Sequence, residues 1–181
     1  MAHNDNSCNI PPTAPFQNTT NNTVPSISSV TVRRATLDEL DTLMHWRMIT
    51  IHEVFQDPSP TLMDNLAQAN QVYYEHAIPE GIHIPCFAEI ENTIVGCGGL
   101  CIQQEMPSPD NPTGICGYLM NIYALPHLRG HGIGGAITTW LIEQARLHNA
   151  GKIYLEASKK GRPLYEKLGF EDLNGYMKLV K

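Results

Sequence analysis

Residues 129–135 read Arg-Gly-His-Gly-Ile-Gly-Gly and lie between a strand-like apolar run, Ile115 to Ala124, and an amphipathic helix-like run from Ile133 to about Asn149. A glycine-rich turn there leaves main-chain N–H groups bare at a helix N-terminus, where the peptide dipoles sum to roughly half a positive charge. Phosphate oxygens are the natural ligand. The chemistry to expect is a grip on a pyrophosphate by the main chain of Arg129, Gly130, His131, Gly132, Ile133, Gly134 and Gly135, with the lack of bulk at Gly132 and Gly134 mattering more than any side chain. Short glycine patterns recur by chance, so the surrounding elements decide which molecule carries that pyrophosphate.

Gly130-His-Gly132-Ile-Gly-Gly135 matches G-x-G-x-x-G, and Glu156 lies about a helix and a strand later, where a dinucleotide fold places its ribose-binding acid. That fold needs several more parallel strands after its first βα unit than the residues following Gly135 supply. The segment before the turn also reads as a meander.

The positioning elements can be traced from Val30. Val30-Thr-Val-Arg alternates like a short strand, and Thr36-Leu-Asp-Glu39 forms a capping box that opens a helix with apolar positions Leu40, Leu43, Met44, Ile51, Val54 and Phe55. Asp57-Pro58-Ser59-Pro60 stops it. A second helix is expected over about Thr61 to His76, closed by Pro79-Glu-Gly81. Residues 83–90 and 94–103 read as strands joined by a tight turn at Glu91-Asn92. Gly96, Gly98 and Gly99 point to a bulge or a close approach within the second of them. The polar loop 104–114 is a candidate wall of an acceptor site. The apolar run 115–124 is a central strand interrupted by Asn121, a buried amide that must find partners. After the helix 133–149 come a strand 152–157, a short helix around Arg162 to Leu168, and a last strand or hairpin from Phe170 to Val180. An antiparallel meander followed by one β-α-β crossover gives an α+β fold, a mixed and mostly antiparallel sheet flanked by helices on both faces.

Composition narrows the function classes. The 181 residues suit one domain over residues 31–181, preceded by an Asn/Thr/Pro-rich stretch, residues 1–30, read as a flexible tail. Its sequons at Asn18 and Asn21 are read as compositional coincidence. A net charge of −6 with 12 scattered Lys and Arg argues against a nucleic-acid partner and favours a cationic acceptor. No run approaches the ~20 apolar residues of a membrane span, and the N-terminal residues lack the pattern of a secretory signal. A soluble cytoplasmic protein is expected. Cys8, Cys86, Cys97, Cys101 and Cys116 lack zinc-site spacing and read as small hydrophobes in a reducing compartment, and the histidines form no ligand pattern, so no metal is assigned.

The same turn also reads Arg129-x-x-Gly132-x-Gly134. With Asn121-Ile-Tyr-Ala-Leu-Pro126 before it and Gly161-Arg-Pro-Leu-Tyr-Glu-Lys-Leu-Gly-Phe170 after it, the chain from about Val30 to Val180 resembles the GNAT superfamily of acetyl-CoA-dependent N-acetyltransferases. The resemblance implies the GNAT acyl-CoA N-acyltransferase fold and acetyl-CoA as co-substrate. It implies direct attack by a primary amine in a ternary complex, with a small-molecule acceptor held by the first two helices, the 104–114 loop and the C-terminal hairpin. A protein N-terminus or lysine is the second acceptor class, and an acyl-CoA-sensing module without turnover the other alternative. A homodimer is compatible with the resemblance.

Acetyl transfer needs a polarised acyl carbonyl, an unprotonated amine and a protonated leaving sulfur. By resemblance, the main chain of Ile122, Tyr123 and Ala124 would pair with the pantetheine arm and face the thioester oxygen, with Arg129 adding a charged contact and Ser158 lying near the coenzyme arm. Tyr165 matches the tyrosine that protonates the departing thiolate. For amine deprotonation the strand offers Asn121 and Tyr123 and no carboxylate. Glu156 and, on the loop, Glu105 are the carboxylate candidates, and deprotonation through water would give an alkaline pH optimum.

Overall fold

Glu91 and Asn92 both take left-handed backbone conformations, φ 49° and 62°, the geometry a two-residue hairpin turn demands. They join β2 (His83–Ile90) to β3 (Thr93–Gln104) in a computed structural model that describes residues 30–55, 58–173 and 175–180. The tail read over residues 1–30 lies outside the described residues except for Val30, which already belongs to β1 (Val30–Arg34). Asp57, expected to help stop the first helix, is also outside them.

β1, β2, β3 and β4 (Ile115–Ala124) form an antiparallel meander, and β5 (Lys152–Leu155) joins β4 in parallel through α3 (Ile133–Leu147). α1 (Leu40–Phe55) and α2 (Pro60–Ala77) cover one face; α4 (Arg162–Lys167) follows β5. The capping box at Thr36 and Glu39 is formed, on a single 3-10 turn that runs into α1. Ser59 caps α2 through its hydroxyl, ahead of Pro60.

Two apolar layers sandwich the sheet. Leu43 and Trp46 of α1 and Tyr74 of α2 pack on Phe87, Cys97 and Tyr123. Ile133, Ile137, Leu141 and Ala145 of α3 pack on Ile84, Cys86, Leu100 and Leu119 from the other side. The glycines of β3 explain how close α3 comes: a Cβ at Gly98 would lie 2.5 Å from Ile137 Cγ2. Both readings of those glycines hold, because a register shift between Cys97 and Gly99 also marks a bulge against β4. Cys86, Cys97, Cys101 and Cys116 are free and buried.

The chain departs from expectation at its C-terminus. The described residues of 170–180 form no strand or hairpin. Tyr176, Met177, Leu179 and Val180 have strand-like character but are exposed, and Gly175 turns the chain at φ 90°. Side chains hold the segment near β5 in place of a backbone ladder, with the Tyr154 and Tyr176 rings 6.5 Å apart and Lys152 Nζ 5.8 Å from the Tyr176 ring. The expected C-terminal hairpin wall of the acceptor site is therefore absent from the described residues. β5 also ends at Leu155, two residues short of its expected span, which leaves Glu156 and Ala157 beyond the sheet.

Candidate active site

β4 has one edge that is only half used. It pairs with β5 at Cys116, Gly117, Tyr118 and Leu119, and its next residues, Met120 to Ala124, have no strand partner on that side among the described residues. On its other edge it stays bonded to β3, although Asn121 swings to φ 56° where the register shifts. The bulge puts Ile122 against the α3 layer and buries Tyr123 in the α1 layer. Both side chains therefore fix a stretch of main chain that, among the described residues, has no strand partner on the β5 side. Main-chain polar groups at such an edge seek partners.

The glycine turn adjoins that edge. Pro126–Leu128 make a 3-10 turn, Gly130 and Gly132 take φ 83° and 85°, and α3 begins at Ile133 with Gly132 as its cap. After Arg129, the first main-chain N–H to reach a backbone acceptor is that of Ala136, which donates to Gly132 O at 2.9 Å. Among the described residues, those of Gly130 through Gly135 reach no backbone acceptor, and they lie at the positive end of a 15-residue helix. Gly134 and Gly135 serve packing as well: a Cβ at Gly134 would lie 3.2 Å from Leu164 Cδ2, so their smallness lets α4 close on the first turn of α3.

The Arg129 side chain is turned toward α1. Its Nε donates to Ala124 O at 3.1 Å, its Nη2 pairs with Glu53 at 2.6 Å, and the guanidinium lies 5.3 Å from the Tyr123 ring. It braces the end of β4 against α1. His131 Nδ1 lies 3.1 Å from Leu128 O, inside the turn.

Past β5, Ser158 organises the entry to α4, its Oγ accepting from Gly161 N at 3.1 Å. A Cβ at Gly161 would lie 3.1 Å from Tyr165 Cε2, so the glycine lets the Tyr165 ring lie over this turn. The ring meets Phe170 edge-on at 6.0 Å and lines a cavity of about 230 Å³ with Leu155, Ala157 and Phe170. Burial raises the Tyr165 pKa above its usual 10, which keeps the phenol protonated, and its hydroxyl has no hydrogen-bond partner among the described residues. Glu156 is exposed at the end of β5, and its charge contributes to a raised Tyr118 pKa, behind burial as the larger cause. Glu105 accepts from Asn111 at 2.9 Å and pairs with Lys152 at 3.0 Å, contacts that hold its carboxyl below the usual range. The 104–114 loop is itself anchored by Asn111, fully buried and donating from Nδ2 to Cys116 Sγ of β4 at 3.4 Å.

The amide of Asn121 finds its partners in Arg47, whose Nη1 donates to Asn121 Oδ1 at 3.0 Å, and in Cys97, which accepts from Asn121 Nδ2 at 3.7 Å. Sequence reasoning passed over Arg47. The available signal was its place at i+4 from Leu43 and i−4 from Ile51, a charge set in the buried stripe of α1. A wider groove of about 740 Å³ runs along α1 and α2, lined by Met44, Met48 and Met63, and contains neither Asn121 nor Tyr165. Among the described residues no group of three His, Cys, Asp or Glu side chains is placed to hold a metal ion, and no helix is long and apolar enough to cross a membrane.

The chain is similar to known proteins. Residues 40–170 match the model of the acetyltransferase (GNAT) family. The chain is 33% identical over 122 residues to an uncharacterized N-acetyltransferase, YjgM, of Escherichia coli, covering 65% of this chain and 66% of that one. It is 34% identical over 86 residues to a glucosamine 6-phosphate N-acetyltransferase of Trypanosoma brucei brucei, covering 48% of this chain and 56% of that protein. It thus spans somewhat under two thirds of the length of these relatives. A predicted acetyltransferase from Clostridium acetobutylicum, solved with acetyl-CoA, superposes with a TM-score of 0.73 at 28% identity, over 83% of this chain and 96% of that one. A half-unpaired fourth strand that runs into a glycine-capped helix, inside a family match spanning most of the sheet, makes this chain a member of the acetyltransferase (GNAT) family.

Proposed function

We propose that the protein is an N-acetyltransferase that carries the acetyl group of acetyl-CoA to a primary amine of a small molecule, by direct attack in a ternary complex. One observation carries this reading: the N–H groups of Gly130 to Gly135, without a backbone acceptor among the described residues, follow the half-paired edge of β4 after one 3-10 turn, a cradle for a diphosphate near a rail for an extended arm. When bound there, acetyl-CoA supplies an acyl group activated as a thioester.

The chain's own residues do the rest. The main chain of Ile122, Tyr123 and Ala124 orients the arm and offers an N–H to the acyl oxygen, fixed in place by the buried Tyr123 ring and by Arg129. Ser158 and Gly161 set the turn from which Tyr165 donates its proton to the departing sulfur. The acceptor amine loses its proton to water, with Glu156 as the exposed carboxylate at the mouth. A compact acceptor and a cytoplasmic enzyme complete the reading.

Calorimetry with acetyl-CoA, followed by thiol release in the presence of a panel of amines, tests the reading. The expectation is binding of one coenzyme per chain and an acceptor-dependent rate. Failure to bind the coenzyme would refute it, and binding without turnover on any amine would favour an acyl-CoA sensor.

A further inference from the structure

Among the described residues no carboxylate pairs with the guanidinium of Arg47. It is half-buried on α1, its Nε donating to Asn70 Oδ1 at 2.9 Å and its Nη1 to Asn121 Oδ1 at 3.0 Å. Both acceptors are neutral amides. Each is also pinned from behind, Asn70 Nδ2 donating to Leu66 O at 2.7 Å and Asn121 Nδ2 to Cys97 Sγ at 3.7 Å, which holds the two oxygens toward the guanidinium. By contrast, Arg33, Arg129 and Arg162 each pair with a carboxylate at 2.6 to 2.8 Å, while Arg34 and Arg146, which have none among the described residues, are exposed. A partly desolvated cation without a counter-charge is costly, and a guanidinium with N–H donors to spare is shaped for a carboxylate or phosphate.

The placement assigns those donors a use. Asn121 sits on the β4 bulge, next to Ile122, so an anion on Arg47 lies beside the strand edge that the acetyltransferase reading gives to the acyl group. Tyr118, two residues before the unpaired edge, feels both Arg47 and Glu156. A molecule carrying an oxyanion at one end and an amine at the other would therefore meet a cation toward α1 and a carboxylate toward the end of β5.

We infer that Arg47 is the specificity-determining residue of the acceptor site and binds a carboxylate or phosphate group on the acceptor amine. The inference rests on the proposed acetyltransferase function. It runs against the cationic acceptor that the acidic net charge favours, because a local charge outweighs a distant average.

Matched amines provide the test: glucosamine 6-phosphate against glucosamine, and L-phenylalanine against L-phenylalaninamide, each with acetyl-CoA and thiol detection. At least one anionic member should exceed its neutral partner at least tenfold in kcat/KM, and which pair responds distinguishes phosphate from carboxylate. Arg47→Gln should abolish that preference through a rise in the acceptor KM of ten- to a hundredfold, leaving the KM for acetyl-CoA unchanged, while Arg47→Lys, which keeps the charge, should restore part of it. Calorimetry of the preferred anionic amine on protein saturated with coenzyme A should give a matching loss of affinity in Arg47→Gln. Should Arg47→Gln fail to fold, the pair preference of the unaltered protein and the behaviour of Arg47→Lys decide the matter. Preference for the neutral members, or a preference that survives Arg47→Gln, overturns the inference and leaves the coenzyme site standing. The same holds if acetyl-CoA binds and neither anionic amine binds or reacts. Absence of acetyl-CoA binding strikes the acetyltransferase reading itself.

Discussion

Replacing Tyr165 with Phe removes one oxygen from a side chain whose ring does the packing. The ring keeps its edge contact with Phe170 at 6.0 Å and its place over Gly161, and the lost hydroxyl had no hydrogen-bond partner among the described residues. Stability should therefore change by no more than about 0.5 kcal/mol. The chemical effect should be far larger. A phenol with its pKa raised above 10 by burial stays protonated at neutral pH and can donate to a thiolate whose conjugate acid lies near ~8.5. Loss of a positioned general acid costs on the order of 10²-fold in rate, about 2.7 kcal/mol in the barrier. Thiol release under saturating acceptor should thus fall about a hundredfold in kcat, with the KM for acetyl-CoA and the melting temperature almost unchanged. The gap should persist through neutral pH and close only above pH ~10, where the wild-type phenol itself ionises. A Tyr165→Phe enzyme within twofold of wild type in kcat, or one that loses activity in proportion to its melting temperature, would refute the assignment.

Two further predictions concern the scaffold. His83 is buried beneath α2, its Nδ1 3.3 Å from the Tyr73 hydroxyl, and burial, helped by the charge of Arg47, lowers its pKa to about 4. Below pH ~6.5 the unfolded chain takes up a proton that the folded one refuses, so this part of the stability is complete above pH 6.5 and is lost as pH falls toward 4, about 3 kcal/mol in all. Denaturant titrations across that range should show the loss, and His83→Gln should flatten the slope; an unchanged slope in the variant would contradict it. Gly98→Ala would place a methyl carbon 2.5 Å from Ile137 Cγ2 and 3.1 Å from Leu141 Cδ1, and the resulting overpacking should cost about 1 to 3 kcal/mol by chemical denaturation. A neutral result would mean that α3 yields more readily than its packing on β3 implies.

What the sequence made legible was set by local rules. The Glu91-Asn92 turn, the Thr36 capping box and the glycine-led start of α3 each depend on residues within one turn of chain, and each forms where the residue types call for it. The meander and its crossover follow, because short connections leave few other topologies. Long-range partners were not legible. Arg47 and Asn121 meet across 74 positions of sequence, and nothing local to either announces the other. Likewise Arg129 meets Glu53 of α1, far upstream, at 2.6 Å, a pairing that the glycine turn beside it does not announce. At the C-terminus the apolar residues around Tyr176 suggested a strand, but a strand requires a backbone partner, and here aromatic contacts with Tyr154 take its place.

The account stands on the claim that the main-chain N–H groups from Gly130 to Gly135 bind the diphosphate of coenzyme A. A crystal structure of the protein with acetyl-CoA measures this directly. The account predicts diphosphate oxygens at hydrogen-bonding distance, about 2.8 to 3.1 Å, from several of those nitrogens, with the arm running along Met120 to Ala124. A diphosphate seated elsewhere, or an arm that leaves the free edge of β4 untouched, would contradict it.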